Sequence, residues 1–238
     1  MTSFNGGTYL KSQIESILPQ LSESDELIVS DNGSTDGSAA YLETLAEADA
    51  RVRFFSFTEK QGVVPNMNHA LMQVRGSIVF LADQDDIWLD GRVAYCRSIF
   101  DSDPALMLLQ TNAEIIDEWG KRSGKTFFEF RKSGPGFWKN FRKNTFQGCN
   151  MIFRTEILRV ALPIPGRISM HDVWIGLLAG RLGKVSFDPV ILSLYRRHGG
   201  NQSAMTPSAI FRIIGWRIYL GFALLCRQKA INKTRRNS

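Results

Sequence analysis

Apolar positions in the first hundred residues form two kinds of pattern, a helical spacing in some segments and short continuous runs in others. Apolar residues recur at helical spacing over residues 9–18, 39–48 and 66–74, while short apolar runs occupy residues 26–30, 52–57 and 77–82. Strands separated by helices predict an α/β fold with a mostly parallel central sheet flanked by helices. Ligands bind such sheets beyond the carboxyl ends of the strands, so we expect the binding and catalytic residues there.

The pattern is weaker after residue 100. It predicts strands over 106–111, 114–116 and 151–153, and a helix over 172–182. A stretch rich in Gly, Lys and aromatic residues, 120–144, predicts a long loop or mobile flap. We expect one catalytic domain over residues 1–207, followed by an amphipathic, basic helix or tail over residues 208–238.

Composition and charge limit the functional classes to which this protein can belong. The 238 residues carry a formal charge of +6, which suits nucleic acid, anionic lipid or phosphorylated substrates without choosing among them. Three widely spaced cysteines without a C-x-x-C pair predict neither a disulfide framework nor a zinc site, and favour a reducing cytosol. The start MTSFNGG has no secretory signal pattern, and no apolar run is long enough to span a membrane.

Three aspartates follow the predicted strand at 77–82. Asp83, Asp85 and Asp86 place like charges within four residues, so their repulsion calls for a positive counter-charge. Carboxylate oxygens suit Mg²⁺ or Mn²⁺, which complete their coordination with phosphates and water. The alternative is that Asp85 or Asp86 caps a helix that begins near Ile87.

Three other segments carry candidate polar groups. Asp31 ends a predicted strand and could accept hydrogen bonds from a base or ribose, or could serve only its Gly- and Ser-rich turn. Asp172 begins a predicted helix, where it is either a general base or an N-cap with His171 as its neighbour. The segment YRRHGGN, residues 195–201, either grips phosphate oxygens or is a solvated basic loop.

These motifs together resemble a known family. SFNGGTYL, IVSDNGSTDGS, FLADQDDIW, HDVW and YRRHGGN occur in this order between residues 1 and about 203, as in the family 2 glycosyltransferases. Within that family the DQDD-W, HD-W and YR-H forms are most similar to bacterial rhamnosyltransferase-like enzymes of O-antigen and capsule assembly. The resemblance implies a GT-A fold, an inverting reaction and a nucleotide-diphosphate sugar donor.

The resemblance also implies roles for individual residues. Asp31 would contact the base, Asp83 the ribose or diphosphate, and Asp85 a bound Mg²⁺ or Mn²⁺, with Asp172 as catalytic base. Further donor contacts are expected at Thr2, Phe4, Asn68, Arg196 and His198, and acceptor contacts at Gln147, Gly148, His171 and Trp174.

The sequence departs from the family pattern in two places. Many relatives carry Ala-Arg-Asn where this chain has Asn66, Met67 and Asn68, so the arginine contact to the donor is missing or replaced. Relatives also begin with an apolar strand that runs into the segment matching residues 2–5, so we expect a truncated first strand here. Such a truncation would unsettle Thr2 and Phe4 as nucleotide contacts.

The expected partners are a nucleotide-diphosphate sugar, a glycan or lipid-linked glycan acceptor and an anionic membrane surface, but no nucleic acid. Residues 209–226 mix apolar residues with arginines, which is typical either of a helix on a membrane surface or of a helix packed on the catalytic domain. We therefore expect a cytoplasmic protein at the inner face of the cell membrane. The alternatives are a nucleotidyltransferase and a catalytically inactive, glycosyltransferase-like binding module.

Overall fold

A three-stranded parallel sheet forms the first part of the protein. The computed structural model describes residues 1–198 and 210–236. The sheet has the order β1-β2-β3, and its strands are β1 (Thr2–Ser3), β2 (Leu27–Asp31) and β3 (Val52–Ser56). The helices between and after these strands are α1 (Gly7–Ile17), α2 (Ser38–Ala48) and α3 (Val63–Met72). The predicted alternation of helix and strand is confirmed here.

A six-stranded sheet forms the second part, and it is mixed rather than mostly parallel. β6 and β9 pair in parallel, whereas all other neighbouring strands are antiparallel. The order is β4-β8-β6-β9-β5, with β7 also on β6. The strands are β4 (Ile78–Phe80), β5 (Ile87–Trp88), β6 (Leu106–Ile116), β7 (Arg122–Thr126), β8 (Met151–Arg154) and β9 (Lys184–Arg196).

The structure corrects two predictions about secondary structure. Residues 120–144 are not a long loop, because they contain β7 and two short helices, and Thr126 forms a capping box with Glu129 at the first of them. No helix begins near Ile87, which lies in β5; the next helix starts at Arg92. The helices of this part are α4 (Arg92–Ser102), α5 (Phe127–Arg131), α6 (Phe137–Arg142), α7 (Leu158–Ala161) and α8 (His171–Leu182).

The largest hydrophobic core surrounds α8. Two further helices, α9 (Ile210–Cys226) and α10 (Gln228–Arg236), pack on this core through Leu220, Leu224 and Ile231. The boundary expected at 207/208 lies outside the described residues. Within residues 1–198 and 210–236, no helix is both long enough and apolar enough to cross a membrane.

Three strands from the two sheets run in the same direction. Near the starts of β2 and β4, Glu26 Oε1 accepts hydrogen bonds from the backbone N–H groups of Arg75 and Gly76. Just after β1 and β4, the side chain of Gln84 exchanges two hydrogen bonds with the backbone of Phe4. The carboxyl ends of β1, β2 and β4 therefore lie at one edge of the molecule, where the sequence predicts a ligand site.

Candidate active site

The loop after β4 carries three aspartates at residues 83–86, and we call it the acidic loop. The carboxylate oxygens of Asp83 and Asp86 and Cys149 Sγ all lie within 4.8 Å of one another. Asp86 is buried, and its Oδ2 has no hydrogen-bond partner among the described residues. Burial, followed by repulsion from Asp85 and Asp172, raises the pKa of Asp83 to about 7. Burial and the neighbouring carboxylates also raise the pKa of Asp86 well above its ordinary value.

These residues fit a divalent cation. Raised carboxyl pKa values mean that the negative charges lack compensation, and a bound cation would supply it. The Oδ2 atom of Asp86, which has no hydrogen-bond partner among the described residues, offers a ligand for the cation or an acceptor for a water bound to it. Carboxylates suit Mg²⁺ and Mn²⁺. The sequence predicts the metal at Asp85, whose Oδ2 lies 2.7 Å from His198 Nε2, and this ligand role stays a prediction.

Arg196 and His198 fix the acidic loop from the end of β9. The Arg196 backbone N–H donates to Asp86 Oδ1 at 2.9 Å, and its Nε donates to the Asp85 carbonyl at 2.8 Å. Its guanidinium lies over the ring of Tyr9, which also stacks on His198. Both residues therefore border the site, with contacts that position the loop; the rest of YRRHGGN, from Gly199 on, lies outside the described residues.

Asp172 lies in the first turn of α8 and faces the same site. Its Oδ1 accepts a hydrogen bond from the backbone N–H of the next residue, Val173. Its Oδ2 accepts one from Asn144 Nδ2 at 2.9 Å. Because Asp172 contributes to the raised pKa of Asp83, the two carboxylates lie near each other. The candidate base and the acidic loop are thus brought together.

His171 is buried next to Asp172. Burial lowers the pKa of its imidazole, against the opposing effect of the Asp172 carboxylate. Its Nε2 has no hydrogen-bond partner among the described residues, and it lies so close to Gly148 that a Cβ there would approach it to 2.8 Å. His171 and Gly148 therefore lie close together beside the candidate base, and their contact with an acceptor stays a prediction.

The Asp31 carboxylate accepts hydrogen bonds from the turn that follows β2. Its Oδ1 accepts from the backbone N–H groups of Gly33 and Ser34, and its Oδ2 accepts from Ser34 Oγ at 2.6 Å. Asp31 is also almost fully buried. Its carboxylate shapes the loop after β2, and its contact with a base stays a prediction.

The two donor residues at the N-terminus lie at the expected edge. Thr2 is half-buried in β1, and Phe4 is half-exposed and tied to Gln84 in the acidic loop. In contrast, the carboxamide of Asn68 faces away from this edge: its Oδ1 accepts from the Ile164 N–H, and its Nδ2 contacts Met72 Sδ. Asn66 is the buried residue that joins β1 to β2, through Ser3 and Ser30.

The structure also corrects one acceptor assignment. Trp174 is 0% exposed in the core, and its indole N–H donates to the Ala161 carbonyl at 2.9 Å, so it cannot touch an acceptor in this arrangement. Gln147 is buried as well, with its Oε1 accepting from Asn150 and its Nε2 left without a partner among the described residues.

Sequence reasoning gave no role to two residues of the site. Asn144 holds the candidate base, and Tyr9 packs on Arg196 and His198. Asn144 stands at the end of the stretch 120–144, where spacing carries no signal. Cys149 belongs to the segment 147–150, which the resemblance assigns to the acceptor, and it lies against the acidic loop.

The chain matches known proteins over most of its length. Residues 1–161 match the family described as Glycosyl transferase family 2. The chain is 25% identical over 221 residues to an uncharacterized glycosyltransferase of Nostoc sp., covering 88% of this chain and 67% of that protein. A shorter match, 34% over 93 residues, links 39% of the chain to 30% of a Campylobacter jejuni protein named GalNAc(5)-diNAcBac-PP-undecaprenol beta-1,3-glucosyltransferase.

Solved structures share the fold. The chain superposes on Staphylococcus aureus TarS 1-349 in complex with UDP-GlcNAc with a TM-score of 0.71, at 15% identity, covering 94% of this chain and 65% of TarS. The mannosyltransferase PcManGT of Pyrobaculum calidifontis, in complex with GDP-Man and Mn²⁺, gives 0.65 at 17% identity over 98% and 72% of the two chains.

The comparisons and the geometry agree on the family. The chain spans about two thirds of the length of the relatives that it matches over most of its sequence, such as those of Nostoc and Haemophilus influenzae. The matched segment contains the acidic loop, Asn144 and Cys149, and the GT-A fold is that of the solved neighbours. This chain therefore belongs to glycosyltransferase family 2.

Proposed function

We propose that this protein is an inverting glycosyltransferase. It moves a sugar from a nucleotide-diphosphate donor to a hydroxyl group of a surface-polysaccharide acceptor. The observation that carries the proposal is the approach of Asp172 to the acidic loop, because it combines a half-buried carboxylate base with a site for a cation and diphosphate. Family membership supports the same reaction class.

Asp172 is the proposed base. The acceptor hydroxyl gives its proton to this carboxylate as its oxygen attacks the anomeric carbon, on the face opposite the nucleotide diphosphate. The new glycosidic bond forms while the bond to the diphosphate oxygen breaks, so the configuration inverts and one carboxylate suffices. Asn144 orients the base, and His171, which is buried beside it, shapes the acceptor side.

The acidic loop is the proposed site for Mg²⁺ or Mn²⁺. Asp85 and Asp83 would hold the ion, which when bound supplies positive charge for the diphosphate oxygens. Arg196 keeps this loop in place through Asp85 and Asp86. His198 contacts the Asp85 carboxylate, and we expect its ring to border the bound diphosphate.

The proposed donor and acceptor classes follow from the relatives. TarS was solved with UDP-GlcNAc and PcManGT with GDP-Man, so UDP and GDP sugars are the first donors to compare, together with dTDP-rhamnose, which the rhamnosyltransferase-like motifs favour. The name of the Campylobacter relative specifies an undecaprenol-linked glycan, and we extend that acceptor class to this chain.

A lipid-linked acceptor would place the enzyme at a membrane, and α9 offers a matching surface. Four large apolar side chains, spaced along one face of this helix, are 50% to 69% exposed: Ile214, Ile218, Phe222 and Leu225. Basic side chains of α6 and α10 are exposed beside or after it, including Lys139, Arg142, Lys229 and Lys233. An apolar stripe with basic flanks is the surface that binds anionic lipid. We call these four apolar residues the α9 stripe.

The experiment that tests the function is calorimetry with UDP, dTDP and GDP, with and without Mn²⁺, followed by sugar transfer with the nucleotide that binds. We expect binding that Mn²⁺ strengthens at least tenfold. Asp85→Asn should lose this Mn²⁺ effect, whereas Asp90→Asn, an exposed aspartate five residues away, should keep it.

Other outcomes discriminate the alternatives. Release of diphosphate without sugar transfer would replace the proposal with a nucleotidyltransferase. A chain that folds but binds none of the three nucleotides would be a binding module rather than an enzyme.

A further inference from the structure

A buried thiol lies against the acidic loop, and the proposed reaction gives it no role. Cys149 is 2% exposed, and its Sγ lies within 4.8 Å of one carboxylate oxygen of Asp83 and one of Asp86. These two oxygens lie within the same distance of each other. One sulfur and two oxygens, each able to bind a cation, therefore share one small space.

The Asp86 carboxylate has one oxygen to spare. Its Oδ1 accepts from the Arg196 backbone N–H, whereas its Oδ2 has no hydrogen-bond partner within residues 1–198 and 210–236. Burial and the other carboxylates raise the pKa of Asp86, and the nearby Cys149 thiol, a weak donor, opposes this rise only in part. Because the side chain is 2% exposed, a bound cation would satisfy Oδ2 where bulk water does not reach it.

Polar contacts hold Cys149 in this position. Arg92 Nη2 donates to the Cys149 carbonyl at 3.2 Å, and Asn150 Nδ2 donates to Cys149 Sγ at 3.7 Å. Asn150 is itself held by Arg92, whose Nη1 donates to its Oδ1 at 2.8 Å. The sulfur is thus fixed beside the carboxylates, and the amide donor that faces it would stabilise a thiolate.

The buried Arg92 also determines which cation charge fits. Its guanidinium is 0% exposed, and its positive charge opposes the effect of burial, which raises the pKa of the Cys149 thiol. Two carboxylates and one thiolate carry three negative charges, and Arg92 carries one positive charge. A divalent cation would therefore balance the charge of this group.

The sulfur distinguishes among divalent cations. Thiolates bind Zn²⁺ and other thiophilic ions, whereas Mg²⁺ and Mn²⁺ prefer oxygen ligands. Around a tetrahedral Zn²⁺, bonds of about 2.0 Å to oxygen and about 2.3 Å to sulfur place the ligand atoms about 3.3–3.5 Å apart. Since the three atoms already lie within 4.8 Å of one another, shifts of about 1 Å would complete this geometry.

We propose that Cys149, Asp83 and Asp86 form a binding site for a thiophilic divalent cation such as Zn²⁺, with water as the fourth ligand. The Zn–S bond forms as the thiol proton leaves to solvent, together with any proton that the carboxyl groups hold. Asp83 is also a proposed ligand of the catalytic Mg²⁺ or Mn²⁺, so the two cations exclude each other and Zn²⁺ inhibits donor binding. This inhibition rests on the proposed function, whereas the site itself does not.

Co²⁺ is the probe for the site, because a cobalt–thiolate bond has a charge-transfer band in the near ultraviolet that cobalt–oxygen bonds lack. The full chain with Cys226→Ser is used, so that the exposed thiol does not contribute. One equivalent of Co²⁺ should produce the band, and Zn²⁺ should remove it. A further Cys149→Ser substitution should abolish the band, whereas Cys96→Ser, at another buried cysteine, should leave it intact.

Two spectroscopic results would overturn the site. One is the absence of the band from the folded Cys226→Ser chain, a result that does not depend on how well any further variant folds. The other is a band that persists after Cys149→Ser, since the sulfur ligand would then be another residue.

Calorimetry tests the exclusion of the catalytic ion. Loading with Zn²⁺ should weaken Mn²⁺-dependent nucleotide binding on the order of tenfold or more in the Cys226→Ser chain, but not after the further Cys149→Ser substitution. Unchanged nucleotide binding in the loaded chain would show that the two ions do not share Asp83. If no nucleotide binds to any form, the proposed function fails, and the cobalt band still decides whether the site exists.

Discussion

Asp172 is held by two different kinds of donor, and this determines how it can be tested. One oxygen accepts from the backbone of its own helix and the other from Asn144. Asparagine has the same shape but only one accepting oxygen, so it can keep one of these two bonds, and it cannot take a proton. Asp172→Asn should therefore lower turnover on the order of a hundredfold to ten-thousandfold while nucleotide affinity is retained.

The measurement is sugar transfer under saturating donor, with nucleotide affinity from calorimetry. Asp101→Asn, an exposed aspartate in α4, is the control and should retain normal turnover. If Asp172→Asn transfers sugar at the wild-type rate, the base is another group.

Asp83 should make the metal-free protein less stable as pH rises. Its pKa is about 7 in the folded chain, because of burial and nearby carboxylates, against an ordinary value of 3.8. Between pH 4 and 7 the folded state then binds more protons than the unfolded state, so stability decreases with pH over this window. Asp83→Asn removes the titrating group, and should raise Tm relative to wild type at pH 8 but not at pH 4.

Thermal unfolding in chelator-treated buffer at both pH values checks this expectation. Asp90→Asn should show no such difference between the two pH values. An identical Tm difference at pH 4 and pH 8 for Asp83→Asn would show that the Asp83 proton is not involved.

Single residues show where sequence-based prediction works and where it stops. Asp83 and Asp172 could be located from the sequence because each lies at one terminus of a predicted apolar element: Asp83 follows β4, and Asp172 lies in the first turn of α8. Asn68 and Trp174 could not, since motif position does not determine which side of a helix a side chain takes. The helix α3 turns Asn66 towards β1 and β2, and α8 turns Trp174 into the core.

At the scale of elements, α8 provides a matched pair of glycines. A Cβ at Gly176 would lie 2.4 Å from the ring of Phe146, whereas a Cβ at Gly180 would meet only Val185 at 3.8 Å. Gly176→Ala should therefore destabilise the fold by about 1–3 kcal/mol through overpacking. Gly180→Ala should stabilise it by up to about 1 kcal/mol through helix propensity.

Chemical denaturation of the two variants measures both effects. Gly176 is where α8 packs closely against the segment that carries Asn144, so its substitution should also reduce turnover. If both variants change stability in the same direction, close packing of α8 on Phe146 is not the constraint.

The helices and strands up to β4 were predictable because their patterns are regular, whereas β5, α4 and several later elements were not. β9 was missed since Asp188 and Pro189 interrupt its alternation, and its pairing with β6 shifts register near Asn112. The short helices of residues 120–144 were missed because each spans only five or six residues, too few for a helical period to show.

At the scale of the whole molecule, α9 has two apolar faces with different environments. Its inner face, with Leu220 and Leu224, belongs to the main core, while the α9 stripe faces outward. A charge placed on the stripe should therefore weaken membrane binding without unfolding the protein. Ile218→Glu with Phe222→Glu should abolish flotation with phosphatidylglycerol vesicles, and Met72→Glu, an exposed apolar position on α3, should leave it unchanged.

Varying the salt concentration and the charge of the vesicle lipid gives a second test of membrane binding. Binding through basic flanks should weaken with added salt and with neutral phosphatidylcholine vesicles. Flotation of the doubly substituted chain at the wild-type level would remove the α9 stripe from membrane binding.

The three cysteines differ in thiol reactivity, so one of them can serve as a natural labelling site. Burial raises the pKa of Cys96 to about 11 and that of Cys149 well above its ordinary value, so neither forms the reactive thiolate near neutral pH. Cys226, the last residue of α9, is exposed. A thiol-directed fluorophore should therefore label the native chain at this single position, one residue beyond Leu225, and report lipid contact without any engineered cysteine.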